Sequence, residues 1–167
     1  MTRAGDGDRL TGAIAAASSD LLAYFERRSS NPDAADLLAE TMITAWRRVD
    51  ALPVDDEQAR MWLFGIARNV LLNAGRGQRR RWQLADRVRG MLTADAIAGP
   101  ADEGMEVRDA ISRLEPDLAE LVRLIHWDGF SIVEAASIME IPASTARGRY
   151  QRAKGELRTA LAVSTES

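Results

Sequence analysis

Cysteine is absent from the 167 residues, which excludes disulfides, a thiol redox switch and zinc sites built on thiolates. Histidine is nearly absent: His126 is the single one, so imidazole-based metal centres and acid–base machinery have one residue to draw on. Lysine is nearly absent too, Lys154 being the only one among 22 basic residues. No apolar run approaches the roughly 18 residues of a membrane span, and no cationic start with an apolar middle marks a signal peptide. The expectation is a cytoplasmic chain with no membrane contact of its own and no cofactor. What is present suits a folded protein, 46% hydrophobic and 28% charged, in a length that fits one ordinary domain or two small ones.

The net charge of -3 hides a pattern. Arg76, Arg79, Arg80 and Arg81 form one basic cluster, and Arg147, Arg149, Arg152, Lys154 and Arg158 form another. The acids gather elsewhere, at Asp55, Asp56 and Glu57 and again at Asp102, Glu103 and Glu106. Local field, not net charge, decides contact with a phosphate backbone, so two basic patches on a mildly acidic body are compatible with DNA binding. Solvated helix faces account for such charge equally well at this point.

Helix formers dominate, and alternating β-branched runs are few. Residues 1–9, polar and glycine-containing, are expected to be loose, with a first helix over 10–28. Asn31 and Pro32 suit an N-cap and the first position of a second helix reaching about Val49. Its core stripe is expected at Leu38, Met42, Ala45 and Val49. A third helix is expected from Asp56 to Gly75, with acids at its start and the 76–81 arginines just past its end, complementing the helix dipole. From Trp82 to Met105 glycine and proline interrupt the periodicity, which predicts a linker with at most a short helix near 82–92. Periodicity resumes near Glu106, and Pro116 starts a new helix. The expected fold is all-α: a helical domain over 1–82, a flexible linker over 83–105, and a second helical domain over 106–167.

Residues 129–161 carry the sharpest motif. Ser131 and Glu134 make a capping box, which marks a helix start. The helix that follows is short and rich in small residues, which permits close crossing by a second helix. Glu140, Ile141 and Pro142 make the turn. The second helix buries Ala146, Tyr150, Ala153 and Leu157 and turns Arg147, Gln151, Lys154 and Arg158 outward. That is a helix-turn-helix: arginine can bridge guanine and glutamine can bridge adenine in the major groove.

With these residues in hand, the chain resembles a bacterial RNA polymerase sigma factor of the extracytoplasmic-function (ECF) group of the sigma-70 family, over about 10–82 and 106–161. Residues 130–136 and 142–153 resemble the helix-turn-helix that reads the minus-thirty-five promoter element. The resemblance puts Arg147, Gly148, Gln151 and Arg152 on DNA and makes Arg149 a phosphate contact. Residues 31–41 with 45–48 resemble the polymerase-binding helix, and Asp36, Leu37, Glu40 and Thr41 carry over. Residues 62–70 resemble the helix that handles the melted minus-ten element, for which Arg60, Arg68, Asn69, Asn73 and Arg76 are the candidate contacts. The implied partners are core RNA polymerase (the clamp of its largest subunit and its flap region), promoter DNA and an anti-sigma factor. The linker would thread the polymerase's RNA-exit path. No enzymatic activity is implied.

The chain departs from the family pattern at several positions. Glu140 stands where the turn usually has glycine; a side chain there at positive φ costs roughly 1 kcal/mol. Gly148 replaces a small polar residue. Gly155 lies inside the recognition helix, which predicts fraying beyond it. Ala39 replaces a polar residue on the polymerase-facing helix.

Other readings are weaker. A stand-alone helix-turn-helix regulator, binding duplex DNA as a dimer, is the main alternative, and a helical enzyme comes last because no acid–base pair is visible. His126 reads as structural, and Trp46 reads as core by its helical phase. Trp62 and Trp82 are candidates to stack on bases. Asp36 and Glu40 lack the Glu-x-x-His companions of a di-iron bundle, and Gly75-Arg76-Gly77 does not continue into a phosphate loop.

Overall fold

A computed structural model describes residues 3–29, 31–89 and 103–165. Among them are helices α1 (Arg3–Glu26), α2 (Asn31–Arg47), α3 (Asp56–Arg89), α4 (Glu103–Ser112), α5 (Pro116–His126), α6 (Ile132–Ile138) and α7 (Ala143–Thr165), with a 3-10 turn at Val49–Ala51. Contacts divide the chain into two compact units, Met1–Thr93 and Ala94–Ser167.

In the first unit α1, α2 and α3 pack on one another. α1 supplies Leu10, Leu21, Tyr24 and Phe25, all essentially sealed from solvent, and α3 supplies Leu63, Phe64, Ala67 and Val70. Tyr24 meets Phe64 edge-on at 5.5 Å between ring centroids, the arrangement the ring quadrupoles favour. α1 begins at Arg3 rather than Leu10. A local ion pair and packing against α2 organise the glycine-containing start. Arg9 Nη1 pairs with Asp6 at 3.2 Å, and a Cβ placed on Gly7 would lie only 3.4 Å from the Trp46 ring.

α2 is rotated relative to the expected phase. Its buried residues are Ala34, Leu37, Thr41 and Ala45, while Leu38 and Met42 are half-buried. Leucines at 37 and 38 left the stripe free to start at either one, and packing selected Leu37. Trp46, expected in the core, is 47% exposed.

α3 does not end at Gly75. It runs on to Arg89, 34 residues in all, through Gly75 and Gly77, which each cost up to about 1 kcal/mol against alanine. Residues 78–85 are mostly good helix formers, and no proline or cap stops the helix. The 76–81 arginines therefore lie within the helix, and the dipole argument made for them at a helix end does not hold. At the other end the acids do act on the helix start: Asp55 Oδ1 accepts from the backbone N–H of Gln58 at 3.0 Å. Of the expected linker, 83–89 belong to α3, 103–105 belong to α4, and 90–102 lie outside the described residues.

The second unit is built on α5 and α7. Ile111, Leu114, Leu118, Ala119, Val122 and Ala153 form a buried cluster, with Trp127 and Leu157 packed against it. The capping box is present in both directions: Glu134 N–H donates to Ser131 Oγ at 3.1 Å, and Ser131 N–H donates to the Glu134 carboxylate at 3.0 Å. Ala135 and Ala136 are buried, which brings α6 close to α7. α6 ends with Glu140 at φ 56, its N–H on Ser137 O at 3.2 Å and the N–H of Ile141 on Ala136 O at 3.0 Å. This is a Schellman cap with glutamate in the usual glycine position, so the strain expected at Glu140 is there. α7 continues past Gly155 to Thr165; the expected fraying does not occur before that residue.

Candidate functional site

The recognition helix and its flanks come first. On α7, Arg147, Gly148 and Gln151 are exposed, and space around Gly148 is open. Ala146 and Ala153 face inward with no exposure. The side carrying Arg147 and Gln151 is therefore presented to solvent. Arg149 and Arg152 differ from them. Arg149 Nη1 lies 3.4 Å from Asp117 Oδ2. Arg152 pairs with Glu115 through Nη2 at 3.4 Å and with Glu156 through Nε at 3.1 Å. On another side of α7, His126 Nε2 hydrogen-bonds to Tyr150 Oη at 2.8 Å, and Lys154 Nζ lies 4.9 Å from the Tyr150 ring centroid. The lone histidine thus joins α5 to the recognition helix. Tyr150, placed in the buried stripe by periodicity, is half-buried.

In the first unit, the α2 candidates separate into two sets. Asp36 and Glu40 are exposed. Leu37 is only 7% exposed and Thr41 is fully buried, with Thr41 Oγ1 donating to Leu37 O at 2.8 Å. These two are buried within their own unit, unlike the exposed Asp36 and Glu40 of the same expected set. The surface stripe at helical spacing is Asp36, Glu40, Ile43 and Arg47. Ile43, 51% exposed, was missed; its position three residues after Glu40 was the available signal.

The α3 candidates also separate. Asn69, Asn73 and Arg76 are exposed and share one stripe, which the half-buried Trp62 and Gly65 extend. Arg68 is half-buried. Arg60 is nine residues before Asn69, about 180° round the helix. It faces α1, where Nη1 bonds Asp20 Oδ2 at 2.8 Å, and its guanidinium lies 4.9 Å from the Phe64 centroid. It does not belong to the asparagine stripe.

Beneath the loop before α3 is a cleft of about 520 Å³. Its floor is Gly12, Ala13, Ala16 and Ala17 of α1, and its rim carries Arg9, Arg60, Asp56 and Glu57. Arg9 Nη2 donates to Pro53 O at 2.5 Å, tying α1 to the loop. Among the described residues no cluster of acids and histidine is placed to hold a metal ion, and no helix is long and apolar enough to cross a membrane.

Comparison with known proteins agrees with this organisation. The Sigma-70 region 2 family model matches residues 14–81, and the Sigma-70 region 4 model matches residues 104–157. The ECF RNA polymerase sigma factor EcfG of Rhodopseudomonas palustris is 32% identical over 161 residues, covering 93% of this chain and 87% of the relative. ECF sigma factor SigC of Mycobacterium tuberculosis is 30% identical, covering 92% of this chain and 83% of the relative. Among solved structures, the sigma factor RpoE in complex with the anti-sigma factor NepR from Bartonella quintana matches with a TM-score of 0.63 and 26% identity, over 94% of this chain and 96% of that one. The chain belongs to the ECF group of the sigma-70 family, the RNA polymerase sigma factors that direct core polymerase to promoters.

Proposed function

We propose that the two units divide the work of promoter selection. The first, residues 1–82, docks on core polymerase through the exposed face of α2, led by Asp36 and Glu40. The same unit holds the melted minus-ten strand along α3 with Asn69, Asn73 and Arg76, while Arg68 flanks that stripe and Arg60, turned towards α1, stands apart from it. The second, residues 106–167, reads the minus-thirty-five element through Arg147, Gly148 and Gln151, with Arg149 and Arg152 near the phosphates. Joining two weak readers in one chain raises the effective concentration of each.

The protein catalyses nothing itself and works in the cytoplasm. Holding a base out of its stack costs a few kcal/mol, which contacts from α3 and its preceding loop offset. Control by an anti-sigma factor is part of this reading; the RpoE structure, solved with its anti-sigma factor, supports it. The carrying observation is the outward side of α7, where Arg147 and Gln151 stand exposed over the buried Ala146. The experiment mixes the purified chain with core polymerase and a randomised promoter library. Initiation selective at two separated positions supports the reading, and initiation without sequence preference overturns it.

A further inference from the structure

Exposed ion pairs of the kind made by Arg149 and Arg152 contribute little to fold stability, so stability does not explain why acids flank a DNA-reading helix. Two of the acids come from one place: Glu115 is the residue preceding α5 and Asp117 lies in its first turn. They reach across to Arg149 and Arg152, and Glu156 closes on Arg152 from its own helix. The exposed Arg147 and Gln151 lie on the other flank of the same helix. Two kinds of side chain are thereby sorted. Those suited to base edges stand open, and two cations suited to phosphate are already occupied by carboxylates.

We propose that Glu115 and Asp117 are specificity-determining residues that occupy Arg149 and Arg152 and so suppress sequence-independent grip on DNA. This rests on the reading of α7 as the minus-thirty-five reader. The neighbouring carboxylates offset part of the positive charge each arginine offers a phosphate, so part of the phosphate attraction is cancelled for every sequence alike. Base-edge contacts from Arg147 and Gln151 are untouched. The ratio of specific to non-specific binding, on which a reader among many competing sites depends, rises accordingly.

The test compares the full chain with Glu115→Gln/Asp117→Asn by fluorescence anisotropy on a short duplex of mixed sequence, across salt. Asp117→Asn releases Arg149, which adds about 0.9 to the slope of log affinity against log salt, whereas Arg152 keeps Glu156 and adds less. The gain in affinity at about 50 mM salt then exceeds the gain at about 200 mM by roughly three- to fourfold for Arg149. A control of equal charge is Glu26→Gln/Asp50→Asn in the first unit, two exposed acids remote from Arg149 and Arg152 in sequence. This control is expected to leave the slope close to wild type. Adding Arg149→Gln to Asp117→Asn is expected to abolish the gain that Asp117→Asn gives alone. An unchanged slope in Glu115→Gln/Asp117→Asn, or an equal gain in the first-unit control, overturns the proposal. The parent reading is tested separately by Arg147→Ala on promoter choice, a result independent of the mixed-sequence slopes.

Discussion

Arg9 and Pro53 are joined by a hydrogen bond from the Arg9 guanidinium to the Pro53 carbonyl at 2.5 Å, across 44 residues of sequence. The bond fixes the loop that leads into α3 against the start of α1, and Asp6 holds the same guanidinium from behind at 3.2 Å. Arg9→Ala removes a charge-assisted bond at a partly exposed site, at about 1 kcal/mol. The expected results are a drop in unfolding midpoint of a few degrees and weaker sequence preference at the minus-ten element, with the minus-thirty-five preference intact. Calorimetry and a promoter-library profile read the two.

Glu140 holds the αL position of the cap between α6 and α7, at φ 56. Glu140→Gly relieves the Cβ strain and gives back some unfolded-state entropy. A net gain of about 0.5–1 kcal/mol is expected, seen as a higher unfolding midpoint for the second unit.

Asp36 and Glu40 are exposed whereas Leu37 between them is buried, so neighbouring substitutions on α2 separate two effects. Asp36→Lys with Glu40→Lys is expected to weaken association with core polymerase about tenfold or more, roughly 1.4 kcal/mol, with an unchanged unfolding midpoint. Leu37→Ala is expected to destabilise the domain by about 2–4 kcal/mol. Surface binding to core polymerase and thermal melts of both variants check this. Undiminished association of the double-lysine variant contradicts the docking assignment.

Much of this was legible because local chemistry carried it. The Ser131–Glu134 box, Pro142 and the small residues of α6 fix the helix-turn-helix with little help from elsewhere in the chain. What was not legible depended on distant partners. Periodicity could not choose between Leu37 and Leu38 for the inward side of α2, because both are apolar, and Thr41 gave no apolar vote for the phase that packing selected. The family resemblance grouped Arg60 with the asparagines, yet helical geometry and Asp20, 40 residues away, turn it towards α1. The acids holding Arg149 and Arg152 lie 32 and 37 residues before them, beyond any local pattern. Glycines at 75 and 77 suggested a helix end, but the long run of helix formers after them outweighs their propensity cost.

The separation of duties between the units is tested most directly by one library measurement on two variants. Polymerase carrying Arg147→Ala with Gln151→Ala is compared with polymerase carrying Asn69→Ala with Asn73→Ala, for selection at every promoter position. The first pair is expected to lose about 1–3 kcal/mol of discrimination per contacted base upstream and to keep the downstream preference, and the second pair is expected to do the reverse. Loss of preference at both elements in either variant, or at neither, contradicts the account.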